Sequence, residues 1–147
     1  MYGTFNQARA AEECRKSGAT LSGLETTEER DYVWDEANKQ NYKEARLWVD
    51  GIRRDECHVT DIPGVFPKGC EDFKGFDFTD KFLLEKKGYV WEQNNPDGLY
   101  NPEKNVYQSC LLFWIIPNER TIDDDLCDSG FEADSAVRGC VCGKPAG

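Results

Sequence analysis

The stretch ARAAEECRKSGATLSGLETTEERDYV, Ala8 to Val33, carries two helix signals separated by a break at Gly18 to Gly23. Before the break, Asn6 to Ser17 reads as a helix: Ala8, Ala11 and Cys14 recur at helical spacing on one side, and Gly18 is available to end it. That phase turns Cys14 toward a core. A second helix is expected to begin near Thr26, where Thr26 and Glu29 have the spacing of a capping box. Tyr32, Val33, Ala37 and Trp34 supply its apolar face, and the pattern carries it to about Asn41. RLWVDG follows, in which Leu47 to Val49 form a short apolar run closed by Gly51, the pattern of a buried strand.

From Arg53 to Tyr107 the periodicity fails. Prolines, glycines and charges dominate, with brief apolar pieces at FDFTDKFLL (76–84) and YVW (89–91). A connection this long inside a compact domain is usually either functional or wrongly divided into elements. SCLLFWII (109–116) then gives a strong strand signal and VRGCVCG (137–143) a short closing one. Helix, helix, strand, long loop, strands is the order of an α+β fold with an antiparallel sheet.

At 147 residues the chain suits one domain spanning 1–147, long enough to bury its own core. Asp and Glu outnumber Lys and Arg by 28 to 18, which excludes a nucleic-acid partner, since phosphate binding draws on basic side chains. No apolar run approaches the roughly 20 residues of a membrane span. The N-terminus lacks the basic and apolar regions of a signal peptide. Seven cysteines without paired C-x-x-C spacing nevertheless point to disulfides in an oxidising compartment. The expectation is a secreted domain written without its leader.

With these segments in order, the chain resembles the C-type lectin-like domain family, most closely its nematode-style members. The two-helix stretch and LWVDG (47–51) look like the family's helices and its WIGG strand. FDFTD (76–80) followed by WEQNNPDG (91–98) is similar to the tryptophan and W-x-x-G-Q-P-D segment of its long loop. YQSC (107–110), DDDLC (123–127) and VCG (141–143) resemble its last landmarks. The resemblance implies a C-type lectin-like fold, two helices flanking a small antiparallel sheet with a long irregular loop region. The first strand, which would precede Tyr2, is missing from the match. It also implies disulfides Cys14–Cys142, Cys110–Cys127 and Cys57–Cys70, each contributing roughly 3 to 5 kcal/mol in the chain-entropy model. Cys140 lies two residues from Cys142 on a strand, so both point to one face and either can partner Cys14. The one left over is a buried thiol or a link to a second chain in a disulfide-linked oligomer.

The family's sugar-binding members hold Ca²⁺ with residues flanking a cis proline, an acid two before a landmark cysteine, and a WND triplet. Carried over, those positions are Asn95, Asp97, Gln108, Asp123 and Asp124, with Ile122 in place of the tryptophan. All five side chains offer an oxygen to an ion that takes 6 to 8 of them. Gln108 replaces an acid and Asp123 an amide, so three formal negative charges remain. Asn95, Asp97, Gln108 and Asp123 would also read two neighbouring sugar hydroxyls. Asn95-Pro96-Asp97 has the amide-then-acid order of galactose binders, but the paired positions are exchanged as well, so neither sugar class is assigned.

Plainer readings stand beside these. Asn94 to Gly98 suits a surface turn, and Asp123 to Asp125 with Asp128 a solvated acidic loop. Glu103 can supply the acid that Gln108 lacks. Trp48, Trp91 and Trp114 read as core, and His58, the single histidine, as an exposed loop residue. No nucleophile has a recognisable partner, so no enzyme is expected. The function expected first is calcium-dependent binding of glycans or a glycoprotein; the alternative is a calcium-independent domain that binds a protein ligand.

Overall fold

The computed structural model describes residues 6–39, 45–59, 62, 64–93, 96–103, 106–115, 120–127 and 137–144. The opening stretch forms two helices around a short strand: α1 Gln7–Lys16, β1 Thr20–Leu21 and α2 Thr27–Lys39. Asn6 caps α1 by accepting from the Arg9 N–H at 3.0 Å. Gly18, at φ 71°, ends it by letting the chain turn so that the Ser17 and Ala19 N–H groups both reach the Cys14 carbonyl. Cys14 faces the core as expected, but the buried stripe is Gln7, Ala10 and Cys14, and Ala8 is exposed. Three neighbouring alanines differ little in hydrophobicity, so packing around Cys14 sets the phase.

α2 begins with one half of the expected box, the other half being made one residue earlier. Thr26 Oγ1 accepts from the Glu29 N–H at 3.0 Å, while the Glu29 carboxylate turns back to the Glu25 N–H at 2.9 Å. Ala37 is buried and Val33 and Trp34 pack on the core, but Tyr32 is 67% exposed. It lies one residue off the Val33–Ala37 line and so turns to solvent. The expected end near Asn41 lies outside the described residues.

β2, Ala45–Arg53, is longer than expected, because Gly51 interrupts the register rather than ending the strand. Its φ is 135°, and a Cβ there would stand 2.5 Å from Leu111 Cδ1. Past it, Ile52 and Arg53 pair with β3 Phe76–Asp77. β4 Tyr100–Asn101 and β5 Val106–Tyr107 make a hairpin inside the long loop. β6 Cys110–Ile115 lies antiparallel between β2 and β7 Ile122–Asp125. The acidic run expected as loop is therefore largely strand. β8 Val137–Cys140 runs parallel to β2, and β9 Cys142–Gly143 closes on β1.

Alternation divides the β2–β6 pair into two packed faces. Leu47, Val49, Leu111, Phe113, Ile115 and Ile122 face α2 and the long loop, whose Phe76, Leu83 and Tyr89 join them. Trp48 and Leu112 face α1 through Ala10 and Cys14. Trp91 stacks on Phe73 at 4.8 Å, and Trp114 lies under Arg46 at 5.0 Å, so all three tryptophans expected as core pack within the domain. The three disulfides are Cys14–Cys142, Cys57–Cys70 and Cys110–Cys127, as the resemblance implied, and each is intramolecular. Cys140 takes part in none of them. Its Sγ lies 3.7 Å from those of both Cys14 and Cys142 at the edge of the α1 core, so an interchain bond would require drawing it out of that packing.

Candidate functional site

Leu47, Val49 and Gly51 point into the α2-side core, and the next residue in that series is Arg53. Its guanidinium enters between the rings of Phe66, at 4.3 Å, and Phe76, at 4.5 Å. Nη2 donates to Asp124 Oδ2 at 2.9 Å, and both side chains are 0% exposed. Asp124 reaches it because β7 alternates, with Ile122 and Asp124 inward and Asp123 and Asp125 half-buried on the other face. The Asp124 carboxylate also accepts from the N–H groups of Gly98, at 2.7 Å, and Asp97, at 3.3 Å. One buried carboxylate thus joins β2, β7 and the loop after Pro96.

The loop can approach so closely because residue 98 is glycine. Its φ is 63°, and a Cβ would lie 2.9 Å from Phe66 and 3.0 Å from Val59. Asp97 in turn accepts from the Gly64 N–H through its carbonyl, at 2.8 Å, tying the loop to the Cys57–Cys70 insertion. The amide of Gln108, in the orientation that satisfies its neighbours, points its NH₂ at the Asp97 carboxylate, 2.9 Å away, and at the Asp124 carbonyl, 3.0 Å away. In that orientation the amide donates at a place where a carboxylate would face two acceptors.

The electrostatics follow from this packing. Burial, then Asp97, push the Asp124 carboxyl up, while the Gly98 N–H and Arg53 oppose them; with three donors on it, one a guanidinium, the carboxylate is held ionised. Burial lowers Arg53 from its ordinary value, and Asp124 opposes that shift. Asp125 pairs with Arg46 at 2.6 Å. Asp123 has no cation opposite it among the described residues; burial, then Asp124, Asp125 and Asp97, raise it to about 7.

The structure therefore brings Asp97, Gln108, Asp123 and Asp124 to one place, the ends of β5, β7 and the long loop. Asn95 and the Asn95–Pro96 bond lie outside the described residues. Glu103 sits exposed in the β4–β5 turn. Ile122, in the place of a tryptophan, is fully buried and exchanges backbone hydrogen bonds with Val90 and Glu92.

A family model described as C-type lectin domain-containing protein 141/158 matches residues 3–145. The chain belongs to this C-type lectin domain family. No curated protein sequence matches it. Among solved structures, the cow C-type carbohydrate-recognition domain of CD23, in the presence of a GlcNAc2Man3 oligosaccharide, is 17% identical with a TM-score of 0.63, covering 99% of this chain and 84% of that one. A Ca²⁺-dependent type II antifreeze protein in its Ca²⁺-free form is 17% identical, TM-score 0.61, with 98% and 87% covered. The Ca²⁺-independent C-type lectin SPL-2 from Saxidomus purpuratus is 14% identical, TM-score 0.56, with 96% and 80% covered. These likenesses show a C-type lectin-like fold shared by proteins that differ in their use of calcium.

Sequence reasoning missed Arg53 because it ended the strand at Gly51. Counting onward by twos from Leu47 and Val49 would have put an arginine on the inward face, a signal that a buried anion waits for it. His58, expected to be exposed, is half-buried and stacked on Tyr107 with ring centroids 4.4 Å apart.

Proposed function

We propose that this C-type lectin domain binds a protein ligand and does so without calcium. The observation that carries the reading is the Arg53 guanidinium on Asp124, a cation supplied by the chain itself. A calcium ion needs oxygens whose lone pairs point at it. Asp124 instead faces a guanidinium and two amide N–H groups. A divalent ion brought beside Asp124 would also be repelled by Arg53. The residues present thus fit an internal ion pair better than Ca²⁺, and calcium-mediated reading of sugar hydroxyls loses its centre.

A protein partner is supported by the segments that this pair anchors. Ile62 and Val65 on the insertion, and Leu99, Tyr100 and Val106 around the hairpin, are large apolar side chains left exposed. Large apolar side chains left exposed are candidate contacts for a partner. Three disulfides suit an extracellular domain, and no described helix is long and apolar enough to cross a membrane.

Thermal unfolding with millimolar Ca²⁺ and with chelator tests the reading, because an ion that binds the native state alone must raise its stability. The melting temperature should be the same in both. A rise of several degrees with Ca²⁺, or glycan-array signal abolished by chelator, would restore the ion-dependent lectin.

A further inference from the structure

Beside the Arg53–Asp124 pair, and separate from the carboxylate cluster, lies a hollow of about 670 Å³ between the end of β2, the Asp55–Cys57 turn and the β4–β5 hairpin. One wall is aromatic. Tyr107 touches His58 on one side, stacked at 4.4 Å, and Tyr100 on the other, tilted at 4.9 Å. Ser109 Oγ, 3.4 Å from His58 Nε2, holds the imidazole in place. Ile52 and Val106 add apolar edges, and Asp55 stands exposed at the rim.

We propose that this hollow takes an arginine side chain of a cationic protein partner, its guanidinium laid on the end of the aromatic stack and paired with Asp55. The inference rests on the protein-ligand reading above and names the group recognised. Three observations select that chemistry. The rings pack on one another as a short stack, leaving no slot between them for a compact ammonium, whereas a planar guanidinium can extend such a stack by one more layer. The charge is complementary: the chain carries a net charge of -10, and among the described residues lining the hollow Asp55 is the acid and the one cation, Arg53, is buried against Asp124. The neighbouring acid, Glu56, pairs with Arg54 at 3.7 Å, so Asp55 remains to meet the guest. The domain also uses this contact internally, with Arg53 over Phe66 and Phe76, Arg46 over Trp114 and Arg120 over Trp34 at 4.4 Å.

The test is NMR titration of the intact domain with Nα-acetyl-arginine amide, its uncharged citrulline analogue, and methyl glycosides of glucose, galactose and mannose. The arginine compound should shift the His58, Tyr100 and Tyr107 signals saturably in the millimolar range, and citrulline and the glycosides should not. Asp55→Asn, at an exposed position, should weaken the arginine response about tenfold, since it removes one charge-assisted pair. Tyr100→Ala should weaken it as well, which keeps the test decisive if Asp55→Asn perturbs its turn. No saturable shift, an equal response to citrulline, or glycosides binding at this wall in place of arginine would overturn the proposal. A calcium-induced rise in melting temperature would instead overturn the ion-free reading, so the two failures are distinguishable.

Discussion

Arg53→Ala should destabilise the domain by about 3–5 kcal/mol, because it strands a fully buried carboxylate. The size follows from the surroundings of Asp124. Its partner guanidinium is 2.9 Å away, both side chains have no exposure, and water cannot replace the lost cation without entering between Phe66 and Phe76. Two amide donors, from Gly98 and Asp97, still face the carboxylate and keep the cost from rising further. For a domain of this size each kcal/mol moves the melting temperature by about 2–4 °C, so a drop on the order of 10 °C is expected. Urea unfolding followed by tryptophan fluorescence gives the free energy directly. Arg53→Met keeps most of the apolar stem but not the guanidinium between the two rings, and should cost nearly as much, which assigns the loss to the guanidinium and not to the stem. Adding Asp124→Asn to Arg53→Met should recover part of it, since the amide oxygen still accepts from the loop while the unpaired charge is gone. A loss under about 1 kcal/mol in Arg53→Met, or no coupling between positions 53 and 124, would refute the reasoning.

Further outcomes can be checked separately. Asp123 titrates at about 7 in the folded chain against an ordinary 3.8, so the folded state holds the extra proton between those values and stability falls as pH rises from about 4 to 7. Asp123→Asn should remove that slope, gaining about 1–3 kcal/mol over wild type at pH 7.5 and little at pH 4; a difference independent of pH in urea titrations would contradict it. Burial pushes the Cys140 thiol up to about 11, so alkylation of the native protein at pH 8 should run on the order of a hundredfold slower than after unfolding, and rapid native labelling would count against the packing described. Glu25 accepts from the N–H groups of Leu84, Glu85 and Lys86 at 2.8, 3.1 and 2.7 Å. Glu25→Ala should therefore cost about 1 kcal/mol and speed tryptic cleavage after Lys86, and unchanged cleavage would show that the loop does not depend on this carboxylate.

Both helices, the β6 strand and the inward direction of Cys14 were legible along the chain because each is a local matter of cap, spacing or a continuous apolar run. The disulfide pairing was available through resemblance, and the structure agrees with it. Where local signals were degenerate, the reading slipped: three similar alanines hid the phase of α1, Tyr32 joined an apolar face by adjacency, and Gly51 looked like an end when it was a bulge. The same slip removed Arg53 from the strand and so from the site. Four of the five expected calcium-site residues could be listed and are found together, apart from Asn95, but a list of oxygens does not say which way they face.

By itself, then, the sequence determined both helices and the β6 strand, and through its family resemblance it suggested the cysteine pairing and a candidate set that includes Asp97, Gln108, Asp123 and Asp124. Only the tertiary structure decided what those residues face. Arg53 and Asp124 are 71 residues apart and meet because β2 continues past its bulge while β7 turns alternate side chains inward. Charge pairing depends on distance and burial rather than on sequence spacing, so Asp124, which reads along the chain as a ligand for a metal ion, is in the fold the partner of an arginine.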